Sequence, residues 1–231
     1  MPNEKTLELN ITHEILQICR KYDPLAFTMG TALNRERYWG FDSSTIAKYP
    51  GSWMTCPLQY KRAKRRISSS SGFEYVFDIN DNKYRDQHLM LYLLTGRNLR
   101  GAYYVLPALY TSAEFRSALP HLLSKTFLLD VARIRPFMVD RNKHRLYLRP
   151  HLKIAFLRSQ GVEEIAVLSM EEFESLISGR RIGIRISELL ENMKTLMENI
   201  SIESKRPRFL FTIFPELRRQ KTKEEFKVMI T

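Results

Sequence analysis

The segment between residues 41 and 61 constrains the fold more than any other. Two runs rich in aromatic and β-branched residues, 41–46 and 53–61, flank Tyr49, Pro50 and Gly51. A Pro-Gly turn between such runs reads as a β-hairpin. Side chains alternate across a strand, so Gln59 and Lys61 are expected on one face and Leu58 and Tyr60 on the other. Asp42 opens the first strand after Gly40, and Glu36 ends a segment over 31–38 that is expected to turn helical. Four polar groups, Glu36, Asp42, Gln59 and Lys61, therefore converge on one sheet edge.

Around this hairpin the chain alternates between helical and extended patterns. Ile11, Ile15, Ile18 and Cys19 recur at helical spacing, which predicts a helix over 11–21, with Thr12 near its start and Asp23-Pro24 ending it. Beyond a polar loop over 68–72, the pattern predicts a strand over 73–79 and a buried helix over 84–94, with Gly96 where a helix C-cap belongs. Further strands are expected over 102–109, 127–134 and 146–148, helices over 171–177 and 186–200, and a late strand over 208–214. This order implies an α/β core over residues 1–160 and a smaller, mainly helical C-terminal part over 161–231.

Composition narrows the partners. With 44% hydrophobic residues, 13 Phe and 11 Tyr, the chain has the material for a packed core, which excludes global disorder. Two cysteines, Cys19 and Cys56, cannot build a disulfide framework, so a reduced setting is the simplest expectation. No stretch approaches the roughly 20 apolar residues of a membrane span, and the first ten residues are too polar for a signal peptide. A cytoplasmic protein with no membrane partner is expected.

The formal charge of +12 asks for a polyanion, nucleic acid first. Lys61, Arg62, Lys64, Arg65 and Arg66 crowd five cations into six residues, the run 130–158 carries eight Lys or Arg, and a third group lies over 205–221. Arg62, Lys64, Arg65 and Arg66 are the candidates for phosphate contacts, which position a nucleic acid without reading its sequence.

The set at the hairpin edge suits phosphodiester hydrolysis. Two carboxylates can hold Mg²⁺, while an ammonium stabilises charge or orients the attacking water. The same residues also suit a turn aspartate and a solvated strand face, and the residues alone leave both readings open. Gln87 and His88 begin the buried helix and could face this edge or be satisfied in the core. His144 and His151 flank a basic strand, and Cys56 reads as small apolar filling. Neither a Gly-x-Ser-x-Gly elbow nor a phosphate-binding Gly-x-x-x-x-Gly-Lys loop occurs.

A glutamate ending a helix, a Gly-x-Asp opening a strand and a following Leu-Gln-x-Lys strand resemble the restriction-endonuclease-like PD-(D/E)XK nuclease superfamily in its QxK variant. Glu36, Gly40, Asp42, Leu58, Gln59 and Lys61 carry the resemblance, which spans roughly residues 10–135. It implies a mixed sheet flanked by helices and a Mg²⁺ or Mn²⁺ site at Asp42, Glu36 and Gln59, with Lys61 near the scissile phosphate. The implied activity is endonucleolytic cleavage of double-stranded DNA, in restriction or defence against mobile elements, by a homodimer or with a partner subunit. The chain departs from the superfamily in two places, with Gln59 where Asp or Glu is usual and Phe41 where proline precedes the aspartate. Gln59 therefore also favours another reading, a non-catalytic nucleic-acid-binding or assembly protein on the same fold.

Overall fold

Helix α1 (Glu4–Tyr22) begins earlier than the spacing from Ile11 implied, because Asn3 caps it, its Oδ1 accepting the Thr6 N–H at 2.7 Å. Leu7 extends the apolar stripe of Ile11 and Ile15 by one turn. Thr12 is an interior residue of the helix whose hydroxyl lies 2.7 Å from that of Tyr60. The structure, a computed structural model, describes residues 2–31, 40–69, 72–79, 87–95, 99–134, 144–158 and 162–199. Glu36, the helical segment over 31–38 that it was expected to end, Gly96 and the strand expected over 208–214 lie wholly or almost wholly outside those residues.

The expected hairpin is β2 (Ser43–Tyr49) with β3 (Ser52–Tyr60), paired antiparallel from Ser43 opposite Leu58 to Tyr49 opposite Ser52. A strand that the sequence did not reveal, β1 (Phe27–Gly30), adds to the far side of β2. After β3 come β4 (Arg65–Ser69) and β5 (Gly72–Asp78), so Ser68 and Ser69 belong to a strand rather than to the expected loop. Helix α2 (Gln87–Leu94) leads to β6 (Tyr103–Pro107), and α3 (Ser112–Ala118) to β7 (Thr126–Asp130). Three strands follow: β8 (Arg145–Arg149), β9 (Ile154–Arg158) and β10 (Val162–Ala166). The described chain ends in α4 (Met170–Ser178), the short β11 (Ile184–Arg185) and α5 (Ile186–Asn199).

Two sheets result among the described residues, making the protein α/β. One runs β1-β2-β3-β6-β7 with β11 also on β3, and it is mixed because β3 and β6 are parallel while the other pairs are antiparallel. The other is antiparallel in the order β10-β9-β8-β5-β4. The register puts Leu58, Tyr60, Tyr103 and Val105 on one face of the mixed sheet, packed with Leu7, Ile11 and Ile15 of α1 and Phe173 and Ile177 of α4. Burying each such aliphatic side chain contributes about 1.5–3 kcal/mol. The opposite face presents Gln59 and Tyr104 to α2.

The anticipated boundary at 160 does not divide the chain. β9 and β10 pair across it, from Val162 opposite Arg158, and α4 packs on α1 and β7. Residues up to Leu196 belong to one compact unit, so the part expected to be a helical appendage supplies an edge strand and a helix to the core. β10 escaped notice because Glu163 and Glu164 interrupt its apolar pattern, which an edge strand tolerates.

A buried polar chain at the end of β3

Asp42 sits just before β2, its N–H donating to the Leu58 carbonyl at 3.0 Å and its carbonyl accepting the Thr31 N–H at 2.7 Å. Its side chain is folded back over the end of β3, where Oδ2 accepts the Tyr60 N–H at 2.6 Å and the Gln59 Nε2–H at 2.7 Å. Gln59 Nε2 also donates to the Tyr60 carbonyl at 3.2 Å. Gln59 Oε1 accepts from Gln87 Nε2 at 2.6 Å, and Gln87 Oε1 accepts from Lys61 Nζ at 2.8 Å. Gln59 and Lys61 are thus on one face, as strand alternation predicted, and the first residue of α2 closes the gap between them.

Burial bears on the strand-face reading. Asp42 is 5% exposed and Gln59 is 1% exposed, so they do not form a solvated strand face. Buried polar groups must find partners, and these form a series in which each member donates toward Asp42. The order is forced: an ammonium only donates and an ionised carboxylate only accepts, so Lys61 at one end and Asp42 at the other fix both intervening amides. The result is a charge pair bridged by two amides.

Gly40 lets α2 come this close. Its φ is +74°, and a Cβ there would lie 2.4 Å from the Gln87 carbonyl oxygen and 2.9 Å from the Leu91 nitrogen. Gln87 faces the chain while the next residue, His88, turns by one helical step into the core. His88 Nε2 donates to the Ile134 carbonyl at 3.3 Å, so its Nδ1 accepts from the Tyr104 hydroxyl at 2.9 Å, with the rings stacked at 5.8 Å. Burial, and then the nearby Asp42 charge, push the Tyr104 phenol well above its usual range.

The cationic run after β3 is split by the second sheet. Lys64 and Arg65 are exposed and Arg62 is half-buried. Arg66 is committed within the protein, 2.5 Å from Glu114 and 4.2 Å over the Phe73 ring. Burial alone would raise the Glu114 carboxyl, but backbone N–H groups of Thr111 and Tyr110, with Arg66 and Tyr75, hold it down at about 2. Arg66 is therefore a structural tie. Cys56 is buried, its thiol pushed well above the ordinary range by that burial, in keeping with apolar filling. His144 is buried at the start of β8, and His151 is exposed beside Gly72, on a cleft of about 320 Å³ shared with Glu114 and Lys125.

Among the described residues, no group of three or more His, Cys, Asp or Glu side chains converges to hold a metal ion. Asp42 is the carboxylate that the described residues bring to the polar chain. No helix among them is long and apolar enough to cross a membrane. No family model, no curated protein and no solved structure matches the chain.

Proposed function

We propose that the protein is a metal-dependent nuclease of the restriction-endonuclease-like type, acting on DNA at Asp42, Gln59 and Lys61. The observation that carries this reading is the series Lys61–Gln87–Gln59–Asp42, half-buried at Lys61 and buried beyond it, a charge pair kept apart by two amides at the end of β3. A direct ion pair would be the cheaper arrangement for stability alone, because it satisfies both charges without burying two amides. Further support comes from the mixed sheet, in which the antiparallel meander β1-β2-β3 is followed, after β4 and β5 of the other sheet, by α2 and the parallel strand β6.

Asp42 is the donor suited to a weakly held hard cation, while Gln59 as placed turns its Nε2 rather than its oxygen toward it. Asp42 would hold Mg²⁺ or Mn²⁺, with the Gln59 oxygen beside it and water filling the remaining positions, as Mg²⁺ commonly keeps several waters. Once bound, the ion supplies Lewis-acid stabilisation of a phosphoryl oxygen. For Gln59 to offer Oε1 toward Asp42, its amide must turn over and present Nε2 to Gln87. Gln87 must then accept with its own oxygen, which withdraws that oxygen from Lys61. Lys61 would then turn its ammonium toward the charge that develops on an attacked phosphate.

The test is incubation of supercoiled plasmid with purified protein and Mg²⁺ or Mn²⁺, beside Lys61→Ala and Gln59→Glu. The wild type should nick or linearise the plasmid, Lys61→Ala should lose cleavage, and Gln59→Glu should bind the cation more tightly by calorimetry. A second reading, a nucleic-acid-binding or assembly protein with no activity, draws on the same geometry, since the chain of amides is satisfied with no ligand present. Wild-type protein that leaves plasmid intact with both metals, and gives no heat with either in the presence of DNA, selects that second reading.

A further inference from the structure

We infer that the outer face of the antiparallel sheet is a binding surface for single-stranded nucleic acid, distinct from the buried chain on β3 and independent of whether that chain cuts. Strand register decides which side chains share this face. Arg65 stands level with Val76, Tyr147, Phe156 and Glu164, and Arg145 stands level with Asp78, Arg158 and Val162. The intervening rows, with Phe77, Leu146, Leu148 and Leu157, point to the buried face. Along β8, alternation sends Arg145, Tyr147 and Arg149 to one face and Leu146 and Leu148 to the other, with Tyr147 buried beneath Arg158.

The outward residues form guanidinium–aromatic stacks. Arg158 lies 4.2 Å over the Tyr147 ring and Arg149 lies 4.7 Å over the Phe156 ring. Arg149 is neutralised by Glu74, and Arg145 shares Asp78 at 3.4 Å. Arg65, Arg145 and Arg158 are exposed, and the carboxylates level with them are Asp78 and Glu164, so these two rows carry three cations against two anions. The same end holds the start of β4, which follows Lys61 after three residues. Neighbouring strands are about 4.8 Å apart, so Arg65 on β4 and Arg158 on β9 span roughly 14 Å across the sheet.

These features select an unpaired strand over a duplex. The cations meet phosphates of either form, but a guanidinium seated over an aromatic ring can offer its planar surface to an exposed base face, which a duplex hides in its stack. Stacking on such platforms tolerates any base, so the surface would bind without sequence preference.

The experiment is fluorescence anisotropy of the protein with labelled oligo(dT) of about a dozen nucleotides, over a salt series. Arg145→Ala with Arg158→Ala should weaken binding about tenfold and flatten the salt slope by about 0.7 for each phosphate no longer neutralised. Arg158→Lys keeps the charge and removes the planar stack, so it should weaken binding while leaving the slope in place. Melting temperatures of all variants should match the wild type, since the altered side chains are exposed. The inference is overturned by a double variant that binds with unchanged affinity and slope, or by a blunt duplex of equal length bound more tightly than oligo(dT). Oligo(dT) binding by a protein that cuts no plasmid would retain this inference and reject the nuclease reading.

Discussion

In the mixed sheet, Asp42, Gln59 and Gln87 are buried and joined in series to Lys61, whereas on the antiparallel sheet Arg65, Arg145 and Arg158 stand in solvent. The same residue classes thus face different physics. A buried donor that loses its partner keeps its full desolvation penalty, but an exposed cation that loses a partner regains water. Substitutions at the first region should reach stability and function together. At the second they should reach binding alone.

Asp42→Ala gives the sharpest contrast, because it strands the Tyr60 N–H and the Gln59 amide in a buried site. It should cost about 3 kcal/mol in urea denaturation as well as any cleavage. Its burial gives Asp42 a part in packing as well as in the candidate chemistry. Asp42→Asn keeps an oxygen for Tyr60 and should fold nearly as well while losing metal binding. Equal stability of Asp42→Ala and wild type would erase the distinction between the two regions.

Gly40→Ala tests whether the approach of α2 holds the chain together. With φ at +74° and the Gln87 carbonyl oxygen 2.4 Å from the added carbon, α2 must shift, at a cost of about 2 kcal/mol. Loss of calorimetric metal binding along with stability would tie the site to this packing. An unperturbed protein would show that α2 can be displaced freely.

The Glu114 ion pair lies between the extremes, partly buried and joining α3 to Arg66 of β4. Its folded-state value of about 2 is below the ordinary 4.5, so its stabilisation is fully present above about 4.5 and is lost as the pH falls toward 2. Solvent reaches this pair and screens it, so the loss should be on the order of 1–2 kcal/mol, read as a fall in melting temperature across that window. Glu114→Gln should be less stable at neutral pH and show a shallower fall through the same window. The smallest effect belongs to Arg158→Ala, expected within about 0.5 kcal/mol of wild type by urea denaturation. A larger loss would mean that its stack on Tyr147 supports the sheet and is not free for a ligand.

Local patterns made part of this legible. The hairpin, the stripe of α1 and the shared face of Gln59 and Lys61 follow from turn chemistry and periodicity, which act over a few residues. β1 and β4 were not legible: four residues of β1 carry too little periodicity, and the serines of β4 read as loop although pairing with β5 makes them strand. The cationic run Lys61–Arg66 looked uniform in one dimension. Alternation across β4 sends Arg65 outward and Arg66 toward Glu114, a distinction the sequence carried but which had no meaning until β4 existed.

The sequence by itself determined the hairpin, the residue types at its edge and the excess of positive charge, because these depend on neighbours along the chain. Only the tertiary structure decided that Asp42 and Gln59 are buried, that Gln87 and not His88 completes their chain, and that residues beyond 160 belong to the core. Each of those outcomes depends on which distant segment covers a given face, here α2 over β3 and β10 beside β9, and the free energy of burying a polar group is set by that cover.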